Sequence, residues 1–324
     1  MLAHVEATCA PVVPVKPRAS ALREGAAWGV ARVAAGLHAI LGDRSQGGFG
    51  ILMYHRVADR HPGLAAPTFN VTPQRLREQL AGLLARGFEP WSLKRLVAAH
   101  EIGEAIPRKA FAVTFDDGYE NNLTAALPIL ESLGVPATIF LATGFLGSQQ
   151  AFPSDIWSLA GSSQVPAASW RLLTIEQCHT LQDRGLVDLG AHTHTHRVFT
   201  NNAELFREDL ARSVEILNDE FGVRKPTFAF PFGIATPELI EVSRESNVSC
   251  ALSTRSECIL PGTDPFHWGR FTVADSDTPA TLAAKIDGWY TVVTRVARSI
   301  KASTVGSRAT GMSAQRQEQA AASV

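Results

Sequence analysis

Short uninterrupted apolar runs alternate along this chain with longer segments in which apolar residues recur at helical spacing. Runs of the first kind, bounded by turn residues, read as buried strands, and segments of the second kind as amphipathic helices. Strands are expected at Gly50–Val57, Phe88–Trp91, Phe111–Phe115, Val135–Thr143, Leu186–Ala191, Thr227–Phe230, Val248–Leu252 and Phe271–Val273. Between them, a helix opens at Thr72-Pro73 with Leu76, Leu80, Leu83 and Leu84 as its stripe and stops at Gly87. Further helices are expected at Ser92–His100, Leu123–Leu133, Thr174–Arg184, Ala203–Phe221, Thr236–Ser246 and Thr278–Ile300. So regular an alternation implies parallel strands joined by right-handed crossovers. An α/β barrel and an open doubly wound sheet both satisfy it, and both place active residues at the carboxyl ends of strands.

The ends of the chain break this rhythm. Met1–Ser20 is proline-rich and without period, so disorder is expected there and again in the Gln/Ala-rich tail 301–324. Between the first of these and a main domain at 46–300, the segment 21–45 reads as an N-terminal helix, with Trp28, Val30, Val33, Leu37 and Leu41 apolar. Arg32 and His38 interrupt its apolar run, which falls short of the ~18 residues a membrane span needs. We read it as an amphipathic cover for the bottom of a barrel, with no transmembrane span. No clean cleavage site follows it, which argues for a cytoplasmic or membrane-peripheral location over export.

Composition changes the picture little. Charged residues make up 19% of the chain and the net charge is −1, which excludes a dedicated nucleic-acid binder. Cys9, Cys178, Cys250 and Cys258 form no metal-binding spacing, and scattered free thiols suit a reducing compartment. A Cys250–Cys258 bridge is compatible with the sequence.

The chemistry gathers after strands. Phe111–Phe115 delivers two adjacent carboxylates, Asp116 and Asp117, and then Gly118. One aspartate would serve as a helix cap; the second is left over, and two neighbouring anions call for a metal or a proton. After Leu186–Ala191 come His192, His194 and His196 at alternate positions. A turn there brings His192 and His196 to one point, where a solvated polar loop is the plain alternative. Two imidazoles and one carboxylate leave positions open for water and substrate, so Asp117, His192 and His196 form a candidate metal set and Asp116 is free to act as a base.

Thr114-Phe-Asp-Asp-Gly118, His192-Thr-His-Thr-His196 and Phe230-Pro-Phe-Gly233 resemble the first three motifs of the polysaccharide deacetylases, carbohydrate esterase family 4, over roughly Ile51 to Ile300. The resemblance implies a deformed (β/α) barrel of seven strands. It implies hydrolysis of an acetyl group, most often N-acetyl, on a saccharide or polysaccharide, with a divalent metal, Zn2+ first and Co2+ or Ni2+ as alternatives. Carried over, Asp116 is the general base, Asp117, His192 and His196 hold the metal, and the Tyr119 amide faces the oxyanion. Pro231, Phe232 and Gly233 wall the groove. Trp157 either stacks on a sugar ring or packs its own long loop, Gly144–Trp170.

Two departures stand out. The arginine that opens the third motif in well-known members is Ala229 here, and Arg270 is our substitute for it. The late Leu-x-His motif that supplies the general acid is absent; His55, at the end of the first strand, is the candidate for that role, with a structural hydrogen bond as its plain alternative. His267 stands in a different setting and reads as a surface histidine. These departures leave a second reading in play, a metal-retaining glycan-binding protein with little or no catalysis.

Overall fold

The computed structural model describes residues 17–43, 48–64, 67, 69–150, 152, 165–297 and 299. Trp157, with residues 151 and 153–164 of the Gly144–Trp170 loop, residues 1–16 and the tail 301–324 lie outside the described residues.

Among the described residues ten strands form: β1 (Gly50–Tyr54), β2 (Arg56–Val57), β3 (Asn70–Val71), β4 (Glu89–Pro90), β5 (Ala110–Phe115), β6 (Ala137–Leu141), β7 (Val187–Ala191), β8 (Phe228–Ala229), β9 (Ala251–Leu252) and β10 (Phe271–Thr272). The helices are α1 (Pro17–Leu41), α2 (Pro73–Leu84), α3 (Leu93–Glu101), α4 (Leu127–Leu133), α5 (Ile175–Asp183), α6 (Ala203–Phe221), α7 (Pro237–Glu245) and α8 (Pro279–Ile286). Seven strands follow one parallel path, β10-β1-β5-β6-β7-β8-β9, with β4 on the first residues of β5. The ends of the path meet at a single parallel bridge, Leu252 to Trp268, where Ser253 N donates to Trp268 O at 2.9 Å. The result is the deformed seven-stranded barrel that the motifs imply.

Alternation along the strands sorts two cores. Phe111, Val113 and Phe115 of β5 pack outward with Leu52, Tyr54, Ile139 and Leu141 under the helices. Ala110 and Ala112 instead join Ile51, Phe140, Ala229, Leu252 and Trp268 in a second, interior cluster. Fully buried Thr114 and Arg270 fall on that inner side, and the next inward position after Thr114 is Asp116. The interior is therefore apolar at its floor and polar toward the carboxyl ends of the strands.

Three boundaries differ from the hydrophobic pattern. The first strand breaks at His55, and Arg56–Val57 turns aside to pair with Asn70–Val71. The helix expected from Leu123 opens as a π-helical turn over Asn122–Ala126, a distortion common at functional sites. The last long helix stops at Ile286, turns at Gly288 (φ 81°) and resumes over 289–297. Helix α1 starts at Pro17, before the expected Ala21, and buries Ala31 and Ala34 in the core that also holds Leu282, Ala283 and Ile286 of α8. Cys250 and Cys258 are free thiols, so the bridge that the spacing permitted does not form. No helix among the described residues is long and apolar enough to cross a membrane.

Candidate active site

Strand β5 ends by turning Asp116 and Asp117 in different directions. Asp116 is buried and receives Arg270 in a two-pronged pair, Nη1 to Oδ1 at 2.5 Å and Nη2 to Oδ2 at 2.7 Å. Arg270, wholly buried, also donates to Thr114 Oγ1 at 3.2 Å and lies against the Phe140 ring. A guanidinium fork fits a carboxylate in this way and fixes its orientation. Burial alone would push the Asp116 carboxyl up, but Arg270, helped by His192 and His55, holds it below the ordinary carboxylate range. The arginine missing at Ala229 is thus matched by one arriving from β10 across the barrel interior.

Asp117 leaves the strand with φ 74°, a left-handed conformation that swings its carboxylate away from Asp116. Its Oδ1 lies 3.5 Å from His192 Nε2 and 3.4 Å from His196 Nε2. One donor atom from each of these three residues lies within 4.8 Å of the other two. His192 Nδ1 is 2.7 Å from Ala229 O. A carbonyl only accepts, so Nδ1 carries a proton and Nε2 is the nitrogen turned to the cluster, the orientation a metal ligand needs. Burial works against a charge on His192, but Asp116 and Asp117 outweigh it and raise this ring above its ordinary value. Burial, the largest influence on His196, brings it down to about 4. Two imidazoles and one ionised carboxylate fit a divalent cation, which would displace any proton on Nε2.

The loop after β7 is held from outside the cluster. Asp209, on the buried face of α6, accepts from His194 N at 2.7 Å, Thr195 N at 3.0 Å and Thr195 Oγ1 at 2.5 Å. His194 turns away to Thr143 Oγ1 at 3.0 Å, leaving its neighbours to face Asp117. A charged residue on the apolar stripe of Phe206, Leu210, Val214 and Leu217 is the signal in the chain that points to Asp209.

His55 stands on the other side of Asp116, with Nε2 3.9 Å from Asp116 Oδ2. Its Nδ1 is buried without a hydrogen bond, and Phe69 stacks over its ring at 4.6 Å. Asn121 and Asn122 hold this stretch: Val57 N donates to Asn121 Oδ1 at 2.8 Å and Asn122 Nδ2 donates to His55 O at 2.8 Å. Tyr119 is buried, its ring under the Arg56 guanidinium. Phe232 is 49% exposed and rests against His196, beside buried Pro231. A Cβ on Gly233 would meet Thr254 Oγ1 at 2.0 Å. His267 pairs with Asp264 and takes no part in the cluster.

Backbone strain gathers at the same place. Six non-glycine residues among those described adopt left-handed φ, and five of them, Phe69, Asp117, Thr193, His196 and Phe232, lie in or against this site. Such conformations cost about 1–3 kcal/mol each and persist where surrounding structure over-determines them, commonly at functional sites.

Residues 103–251 match the family described as polysaccharide deacetylase. The poly-β-1,6-N-acetyl-D-glucosamine N-deacetylase of Staphylococcus epidermidis is 24% identical over 257 residues, covering 74% of this chain and 83% of the relative. The Escherichia coli enzyme of the same name is 29% identical over 226 residues, which cover 60% of this chain and about a third (32%) of the relative. Among solved structures, IcaB from Ammonifex degensii superposes with a TM-score of 0.62 at 25% identity, covering 75% of this chain and 97% of that one. A Streptococcus pyogenes deacetylase, PplD, shares the fold with a TM-score of 0.61 at 19% identity, covering 74% and 98%.

Proposed function

We propose that this protein is a metal-dependent hydrolase that removes N-acetyl groups from a hexosamine polymer, with β-1,6-linked N-acetylglucosamine as the first substrate to try. The observation that carries this reading is the division of labour between adjacent carboxylates: Asp116 locked on Arg270, and Asp117 facing His192 and His196. The substrate comes from the relatives that cover most of this chain.

Asp117, His192 and His196 would hold the divalent metal, Zn2+ first with Co2+ or Ni2+ as alternatives, which supplies Lewis acidity toward an acetyl carbonyl and water. Asp116 takes the proton from the attacking water, and Arg270 keeps its carboxylate ionised and aimed. His55, 3.9 Å from Asp116, returns a proton to the departing nitrogen, so that the amine leaves neutral. The backbone N–H of Tyr119 would donate to the developing oxyanion, where a preorganised donor is worth about 2.7–4 kcal/mol. Phe232, exposed beside His196, with Pro231 and Gly233, forms the wall against which a sugar ring lies. The buried guanidinium clamped on Asp116 favours catalysis over the glycan-binding alternative, because it keeps a base ionised and aimed.

The test is acetate release from a panel of acetylated oligosaccharides that includes β-1,6-linked N-acetylglucosamine oligomers. Release from the β-1,6-linked oligomers, abolished by chelation and restored by Zn2+ or Co2+, is expected. A metal-loaded protein that releases acetate from no member of the panel would end the enzyme reading.

A further inference from the structure

A second histidine–carboxylate cluster lies at the opposite end of the barrel. His38, in the last turn of α1, Asp43, just beyond that helix, and Asp287, which caps the end of α8, each offer one donor atom within 4.8 Å of the other two. His38 Nε2 forms a hydrogen bond with Asp43 Oδ1 at 2.9 Å, and Asp287 Oδ2 lies 2.7 Å from the same nitrogen. One ring nitrogen carries at most one proton, directed here at Asp43, and no hydrogen bond reaches Asp287 Oδ2. That oxygen belongs to a side chain only 2% exposed. It is a buried anionic atom, aimed into the cluster, with its hydrogen-bonding capacity unmet.

The electrostatics sharpen the problem. Asp43 and Asp287 both stand at helix C-termini, where the macrodipole already concentrates negative charge. Lys109 reaches only the other oxygen of Asp43, Oδ2, at 3.1 Å. Asp287 faces the end of its own helix with His38 against it, and the charges of Asp43, Lys109 and Arg108 are felt there as well. Cys258 lies near Gly288, the residue after Asp287.

We propose that His38 Nε2, Asp43 Oδ1 and Asp287 Oδ2 form a second divalent-cation site that fastens α1 to the barrel floor. Neighbouring ligands about 2.1 Å from a six-coordinate ion are about 3.0 Å apart, close to the 2.7 and 2.9 Å found at His38. One imidazole with two carboxylates suits Mn2+ and the neighbouring first-row divalent ions, with water completing the shell. The role is structural. The ion neutralises two helix ends at once and ties residues from the two extremes of the described chain, Asp43 and Asp287, into one coordination sphere. It is independent of the deacetylase reading, since none of its ligands belongs to the rim and the test uses a rim variant only as a control.

The test uses the full chain and Mn2+ as the probe, with free ion followed by electron paramagnetic resonance during titration. Asp43→Asn and His38→Gln should each bind one equivalent fewer than the wild type, while Asp117→Ala keeps the floor equivalent. Tryptic cleavage at Arg32, exposed on α1, should be slowed severalfold by Mn2+ in the wild type and in Asp117→Ala, and not in Asp43→Asn. Asp43 is itself partly exposed, so its substitution leaves the fold intact. Unchanged Mn2+ stoichiometry in both floor variants would overturn the proposal, and so would a cleavage rate in the wild type indifferent to Mn2+.

Discussion

The two histidine–aspartate clusters lie at opposite ends of β5 and are built on different principles. Asp116 and Asp117 follow its last residue, while Lys109, just before its first, reaches Asp43. At the rim, Asp116, His192 and the His194–Thr195 loop each have a dedicated partner fixed from inside the barrel or from a helix behind: Arg270, the Ala229 carbonyl and Asp209 in turn. At the floor, side chains meet where two helices end, and one oxygen is left without a hydrogen bond. The rim is preorganised for chemistry at the cost of left-handed backbone at Asp117, Thr193 and His196; at the floor, His38, Asp43 and Asp287 avoid that conformation and glycines take it beside them. Preorganisation with strain marks a site that must hold reacting groups still. Charge without strain marks a fastening.

The largest effect should follow loss of the base. Asp116→Asn keeps the shape and removes the proton acceptor, and should lower kcat by about 10²–10⁴-fold, measured as acetate release at saturating substrate. Next is the clamp. Arg270→Met leaves a buried carboxylate alone and should cost about 3–5 kcal/mol in urea unfolding. It also removes the group that holds the Asp116 carboxyl down against burial. The base is active above its pKa, so the acid limb of the pH–rate profile should move to higher pH in this variant. A profile unmoved by the substitution would show that Arg270 braces the interior without tuning the base.

Asp209→Ala tests the support behind the histidines. It removes three hydrogen bonds from the His194–Thr195 segment and should weaken metal affinity about 10–100-fold, the usual effect of losing an outer partner. Equilibrium dialysis against Zn2+ reads this directly. The smallest effect belongs to the floor: Lys109→Met breaks an ion pair whose side chains are 33% and 39% exposed, worth about 0–1 kcal/mol in urea unfolding. If Lys109→Met cost as much as Arg270→Met, the contrast between a built rim and a fastened floor would collapse.

Much of this was legible in the chain. The alternation of apolar runs and helical stripes yields the barrel, and the residues placed just after strands are the ones that converge. Asp117, His192 and His196 are readable because metal-ligating residue types stand close together after two strands. Arg270 is legible only indirectly, through the absence of an arginine at Ala229, because its partner is 154 residues away and no local pattern links them. Asn121 and Asn122 escape notice for another reason. Each works through backbone groups of a distant loop, and a polar residue in a helix or turn reads as solvated until the packing is known. The break at His55 was equally hidden, since Arg56 and Val57 continue a strand-like pattern and only their pairing with Asn70 and Val71 turns them aside.

The central claim is that two adjacent carboxylates hold separate offices, and one paired measurement tests it. Metal content and acetate release are determined on the same samples of wild type, Asp116→Asn and Asp117→Ala, with β-1,6-linked N-acetylglucosamine oligomers as substrate. The account predicts that Asp116→Asn retains its metal and loses turnover, whereas Asp117→Ala loses both. An Asp116→Asn protein that turns over at the wild-type rate, or an Asp117→Ala protein that keeps its full complement of metal, would contradict it.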